Sequence, residues 1–143
     1  MDPARIDALL DTAMFGAVSE DVAVFVLERA AHREVGAGEF FFRQGERGGA
    51  AFLLQSGRVR VIRAWGGQEH LLRHLGSGDC FGEVALLDFG PRSASVVADE
   101  PCTALEITAS VLRRIAEIDP MQFTLIYMNL GRELGRRLRD ADE

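Results

Sequence analysis

The chain has 143 residues, 48% of them hydrophobic, enough for one domain that buries roughly two-thirds of its unfolded surface. Its formal net charge of −6 and pI near 5.1 give no general attraction to a polyanion, and all 16 basic residues are arginine, so no mechanism that needs a lysine is available. No stretch reaches the roughly 18 apolar residues of a membrane span, and no basic n-region precedes an apolar core at the N-terminus. A cytoplasmic chain is expected.

Ile6, Leu9, Leu10, Ala13 and Met14 recur at helical spacing and predict an amphipathic helix over 4–14. Ser19 reads as an N-cap followed by Glu20 and Asp21, where the helix dipole favours acids, and this second helix is expected to run to about His32. From Arg33 the pattern changes to short apolar runs at Phe40–Phe42, Ala51–Leu54, Arg58–Ile62 and His70–Leu75, separated by glycine-rich breaks. Such spacing predicts a sandwich or jelly-roll barrel, with Gly66-Gly67 as a hairpin turn.

Residues Phe81 to Leu87, FGEVALL, form a short apolar run of about one and a half helical turns, stopped by Gly90-Pro91. A helix this short is mostly N-terminus, and its free N–H groups suit an anion. Gly82 is expected to let a ligand approach the backbone. Past the turn, Arg92 precedes the strand-like run Ser93 to Ala98. A guanidinium folded back beside those N–H groups suits a phosphate. Glu83 repels an anion and needs another partner, for which a ribose hydroxyl fits. The alternative is an ion pair of Glu83 with Arg92 that binds nothing.

Ala104–Ile107 reads as a last strand, Ser110 as the cap of a helix to Ile118, and Asp119-Pro120 as the start of a final helix to about Arg139. Phe123, Tyr127, Leu130, Leu134 and Leu138 form one apolar stripe along it. Arg132, Arg136, Arg137 and Arg139 crowd its C-terminal end, where the dipole favours cations and a solvated face is the simplest reading.

FGEVALL followed by PRSAS resembles the phosphate-binding cassette of the cyclic nucleotide-binding domains of bacterial catabolite activators, cyclic-nucleotide-dependent kinase regulatory subunits and gated channels. Gly82, Glu83, Ala85, Leu86, Pro91, Arg92 and Ala94 agree with it together in type and spacing. GEFFFRQGERG, FLLQSGRVRV and LRHLGSGDCFGE are similar to the family's strands and turns, so the likeness extends over nearly all of the chain. It implies an α+β fold, mainly β: a jelly-roll barrel at 33–108 containing the cassette at 81–95, with N-terminal helices at 1–32 and C-terminal helices at 109–143.

By the same resemblance, Glu83 would bind the ribose 2′-hydroxyl and Arg92 the exocyclic phosphate oxygens. Backbone N–H groups of Glu83, Val84 and Ala85 beside Gly82 would bind that phosphate, and Ser93 would touch the phosphate or base. The final helix would cover the base, with Tyr127 stacking on the purine or Arg132 reaching it, or else its stripe would pack on the chain's own barrel or on a second copy. Arg73 matches an arginine that contacts guanine in cyclic-GMP-selective kinase domains; a rim arginine paired with a carboxylate is its other reading. The ligand expected is cyclic AMP, with cyclic GMP open because of Arg73 and Ser93. A protein partner is left unnamed, nucleic acid and membrane are not expected partners of the chain by itself, and a scaffold of the same fold that binds no nucleotide is the competing class.

No catalytic set is visible, so no enzyme is expected. Gly76 to Gly82 fails as a dinucleotide loop in spacing and context. His70 and His74, about 13 Å apart along one strand at ~3.3 Å per residue, are too far apart to share a metal. Cys80 and Cys102 lie 22 positions apart, form no CxxC pair and read as buried free thiols.

Overall fold

The computed structural model describes residues 2–88 and 90–142; Met1, Phe89 and Glu143 of the expected domain 1–143 lie outside the described residues. The chain divides into a β unit, residues 31–108, and a helical unit made of residues 1–30 and 109–143.

In the β unit, strands β1 (Ala31–Val35), β2 (Phe40–Phe42), β3 (Ala50–Ser56), β4 (Val59–Trp65), β5 (Gln68–Leu75), β6 (Cys80–Phe81), β7 (Ser95–Ala98) and β8 (Cys102–Thr108) make two antiparallel sheets. Their orders are β1-β8-β3-β6 and β2-β7-β4-β5. This is the mixed α+β jelly-roll arrangement, in two sheets rather than one closed ring. Its core draws on both sheets: Val35, Phe42, Leu54, Val59, Leu75 and Val96 are buried together. Phe41, Phe42, Phe52 and Phe81 pack ring against ring with centroids 5.0 to 6.1 Å apart.

The β4–β5 hairpin turns at Gly66-Gly67, where φ is +62° and +78°, values a two-residue hairpin needs and glycine adopts without strain. Beyond the end of β7, the Gln44 amide takes over as the neighbour of β4. Its Nε2 donates to the Ala64 carbonyl at 3.2 Å, and its Oε1 accepts from the Ala64 N–H at 2.7 Å. β5 carries a bulge: Val61 pairs with Arg73 but Ile62 pairs with Leu71, leaving Leu72 as the extra residue.

In the helical unit, α1 (Pro3–Leu10) is capped by Asp2 and α2 (Glu20–Arg29) by Ser19, whose hydroxyl accepts from Val22 N–H at 3.3 Å. α1 ends four residues early, and α2 stops before His32 because that residue pairs with Leu105 in β1, long-range pairing overriding local preference. After the β unit come α4 (Ala109–Ile118), which begins one residue before the predicted cap Ser110, and α5 (Pro120–Asp142), capped by Asp119 as its sequence predicts. A short α3 (Val84–Asp88) lies between β6 and β7.

Two α5 side chains reach the N-terminal segment. Gln122 Oε1 accepts from Ser19 N–H at 2.7 Å, and Asn129 Nδ2 donates to the carbonyls of Met14 and Gly16 at 3.0 and 2.9 Å. Arg132 holds the Asn129 oxygen in turn, at 2.9 Å. The apolar stripe of α5 differs from its sequence reading: Ile126 and Leu130 are buried, whereas Tyr127, Met128 and Leu138 are exposed. No described helix is long and apolar enough to cross a membrane.

Candidate functional site

Arg92 is the centre of the cassette region. It is 8% exposed, and its fork is fixed at both ends: Nη1 donates to the Gly82 carbonyl at 3.0 Å and Nη2 to the Ala50 carbonyl at 2.9 Å. The Phe42 ring lies over the guanidinium, 4.0 Å from Cζ. Burial pushes its pKa below the ordinary value, against the pull of the Glu106, Glu46 and Glu83 carboxylates; a guanidinium remains a cation at neutral pH all the same. Its Nε is buried and makes no hydrogen bond among the described residues.

The loop between β2 and β3 holds the Arg92 backbone. Arg92 N–H donates to the Glu46 carbonyl at 2.7 Å, Gly45 N–H donates to the Arg92 carbonyl at 2.8 Å, and Arg47 bridges to Pro91. The turn Gly82-Glu83 leads into α3, with Ala85 N–H donating to Gly82 O at 3.3 Å and Leu86 N–H to Glu83 O at 3.0 Å. Glu83 is 2% exposed, an unusual place for a carboxylate without a functional or structural reason.

The predicted residues Gly82, Glu83, Ala85 and Arg92 therefore come together. Val84, the first residue of α3, is 43% exposed, and Ser93 is exposed beside Arg92. The space at Gly82 is taken from within: a Cβ there would stand 2.7 Å from Arg92 Nη1 and 3.1 Å from Phe42, and φ is +77°. The glycine thus makes room for Arg92, where its sequence reading made room for a ligand.

Arg73 keeps its inward side for a reason other than the one its sequence suggests. Simple alternation would put Leu71, Arg73 and Leu75 on one face. The bulge at Leu72 instead turns Leu71 outward, 56% exposed, while Arg73 stays with Leu75, opposite the inward-facing Val59 and Val61. The same bulge puts His70 and His74 on opposite faces. His70 stacks on Trp65 with ring centroids 3.5 Å apart, and His74 pairs with Asp99, which Arg60 also binds. Among the described residues, no group of three or more His, Cys, Asp and Glu is placed to hold a metal ion. Cys80 and Cys102 are buried and not joined in a disulfide. Tyr127, in the helical unit, packs its ring against Phe123 at 4.7 Å.

Sequence reasoning missed Phe42, Gly48 and the Ala50 carbonyl, all of which surround Arg92. Gly48 had a faint signal, as one of three glycines in GERGG, but reads there only as a break between strands.

The family model for the cyclic nucleotide-binding domain matches residues 32–119. The cyclic AMP receptor protein of Thermus thermophilus is 40% identical over 127 residues, 85% of this chain and 54% of that protein. A cAMP-dependent protein kinase regulatory subunit from Yarrowia lipolytica is 31% identical over 102 residues, 71% of this chain and 26% of that protein. The crystal structure of the Thermus thermophilus catabolite activator protein superposes with a TM-score of 0.80 at 37% identity, covering 92% of this chain and 60% of that one. The chain thus spans about half the length of the first of these relatives and about a quarter of the second. A buried glutamate at the start of the one-turn α3 and a buried arginine beyond its end, set in a two-sheet jelly roll to which this family model aligns, mark the chain as a member of the cyclic nucleotide-binding domain family.

Proposed function

We propose that the chain is a regulatory, non-catalytic module that binds a 3′,5′-cyclic nucleotide, with cyclic AMP as the preferred ligand. The observation that carries this reading is Arg92: a buried cation, clamped at both ends of its fork, with an Nε–H that has no hydrogen-bond partner among the described residues. A phosphate oxygen is the acceptor that suits it. Glu83 would take the ribose 2′-hydroxyl, and the N–H groups of Glu83, Val84 and Ala85, with Gly82 at the turn, would complete the phosphate site. Ser93, exposed beside Arg92, would add a hydroxyl.

Cyclic AMP is favoured because the receptor and the kinase subunit reported above carry that nucleotide in their names. Cyclic GMP is the alternative, supported by Arg73 on the inward face of β5, since arginine donors suit the O6 and N7 acceptors of guanine. Regulation requires that two conformations of the chain differ in affinity for the nucleotide. The proposed output is a change in the surface that α5 offers to a partner, the first candidate being a second copy. Its exposed residues include the uncharged Met121, Thr124, Tyr127, Met128 and Leu138, with Arg132, Arg136, Arg139 and Asp140 toward the C-terminal end and open space beside Gly131 and Gly135.

The test is a calorimetric titration with cyclic AMP and cyclic GMP in parallel and 5′-AMP as control. Saturable binding of a cyclic form, much tighter than 5′-AMP, is expected, and Arg92→Ala should cost about 2–5 kcal/mol of it. No heat and no thermal shift with either cyclic nucleotide would sink the proposal and leave a scaffold of the same fold.

A further inference from the structure

A guanidinium offers five N–H donors. In Arg92, one on Nη1 and one on Nη2 are committed to the Gly82 and Ala50 carbonyls, which fixes both the plane of the fork and its direction. The remaining walls are hydrocarbon. Phe42 covers the plane at 4.0 Å, and a Cβ at Gly48 would stand 3.1 Å from both Cζ and Nε while overlapping the Ala85 Cβ. At Gly82 a Cβ would press on Nη1. The guanidinium therefore lies in a slot formed by one aromatic ring and two bare glycine Cα atoms.

We infer that Phe42 and Gly48 are positioning residues for Arg92, holding its guanidinium in one orientation so that the uncommitted N–H groups are already aimed when a phosphate arrives. The inference rests on the reading of Arg92 as the phosphate ligand. The ring attracts the cation in a desolvated place, where such contacts are strongest, and the empty positions at Gly48 and Gly82 let the fork lie flat against the β2–β3 loop and the cassette turn. Without the ring the fork is free to rock about its two carbonyl contacts, and a phosphate must then order it. Pre-ordering of this kind raises affinity without adding a ligand contact.

The experiment is a double-mutant cycle read by calorimetric titration of cyclic AMP and cyclic GMP: wild type, Phe42→Leu, Arg92→Gln and the double variant, with Gly48→Ala alongside. Phe42 also contacts Phe52 and Phe81, so lost core packing alone must be separated from lost positioning. The expected results are about ten-fold weaker binding for Phe42→Leu and for Gly48→Ala, and no further loss from Phe42→Leu once Arg92 is glutamine. A ligand-free NMR signature accompanies the cycle. The Arg92 Nε–H resonance is expected to be displaced upfield by the ring in the wild type and to return toward its random-coil position in Phe42→Leu.

Additive losses in the double variant would overturn the inference, as would wild-type affinity in both single wall variants or a wild-type Nε–H resonance at its random-coil position. If the wild type binds neither nucleotide, the functional reading itself falls and takes the inference with it. Wild-type binding combined with insensitive wall variants would remove the inference alone.

Discussion

Arg92→Ala should destabilise the ligand-free protein, apart from any effect on binding. The guanidinium ties the cassette turn to β3 through the carbonyls of Gly82 and Ala50. Ala50 is 8% exposed, so its carbonyl would be left without a partner, at about 1–3 kcal/mol. Gly82 is half-buried, so water can replace its bond and the loss there is nearer 1 kcal/mol. The lost cation–π contact with Phe42 adds about 1 kcal/mol, and relief of a desolvated cation returns about the same amount. The net expectation is about 2–4 kcal/mol. Urea unfolding followed by circular dichroism, without nucleotide, reads this directly. With a slope of about 1–3 kcal/mol/M the midpoint should fall by roughly 1–2 M. A midpoint within about 0.3 M of wild type would refute the claim that the arginine is a structural tie as well as a ligand.

Asp99 accepts from Arg60 and pairs with His74; burial opposes its ionisation, but those two partners outweigh it and hold its carboxyl below the usual range. A depressed folded-state pKa gives stability that is present above the unfolded value of about 3.9 and lost as pH falls through the folded value. Asp99→Asn should therefore lower the urea midpoint at pH 7, by the roughly 0.5–1 kcal/mol of a partly exposed pair, and the gap to wild type should close on acidification below about pH 4. A gap that stays constant down to pH 3 would refute it. For α5, sedimentation equilibrium of the wild type should give twice the 15.7 kDa chain mass, with Leu138→Glu shifting it toward monomer. A monomeric wild type would end the second-copy reading. Leu130, 1% exposed, would report on folding instead.

The cassette was legible in the sequence because its chemistry is local: Gly82, Glu83, Ala85 and Arg92 lie within eleven residues, and the helix stop at Gly90-Pro91 is a short-range signal. The strands of the β4–β5 hairpin were legible for the same reason. What was hidden depends on pairing across the chain. The first two residues of β1, Ala31 and His32, read as the end of a helix until Ala31–Val35 pairs with β8, and the two-residue β6 exists only through its partner β3. Strand parity at Arg73 failed as an argument because alternation assumes no bulge, and nothing in QEHLLRHL announces one at Leu72. Phe42 and Gly48 went unnoticed because their role is a fit to one distant guanidinium. The stripe on α5 was off by part of a turn because Asn129, which hooks the Met14 and Gly16 carbonyls, selects the buried side.

Those hooks also constrain the order in which the chain can fold. Met14 and Asn129 are 115 positions apart, and closing a free loop of that size costs about 4 kcal/mol. The β unit removes most of that cost, because Ala31 at the start of β1 lies opposite Glu106 near the end of β8. Once those strands zip, Ala31 and Glu106 are held together, and docking of the two halves of the helical unit on each other becomes a short-range event. During synthesis, α1 and α2 emerge before the β unit yet must wait, with Val22, Val26 and Leu27 not fully covered, until α4, which packs on α2, has been made. A pulse-labelled hydrogen-exchange experiment on the refolding chain should accordingly find the amides of β1, β3 and β8 protected before those of α2.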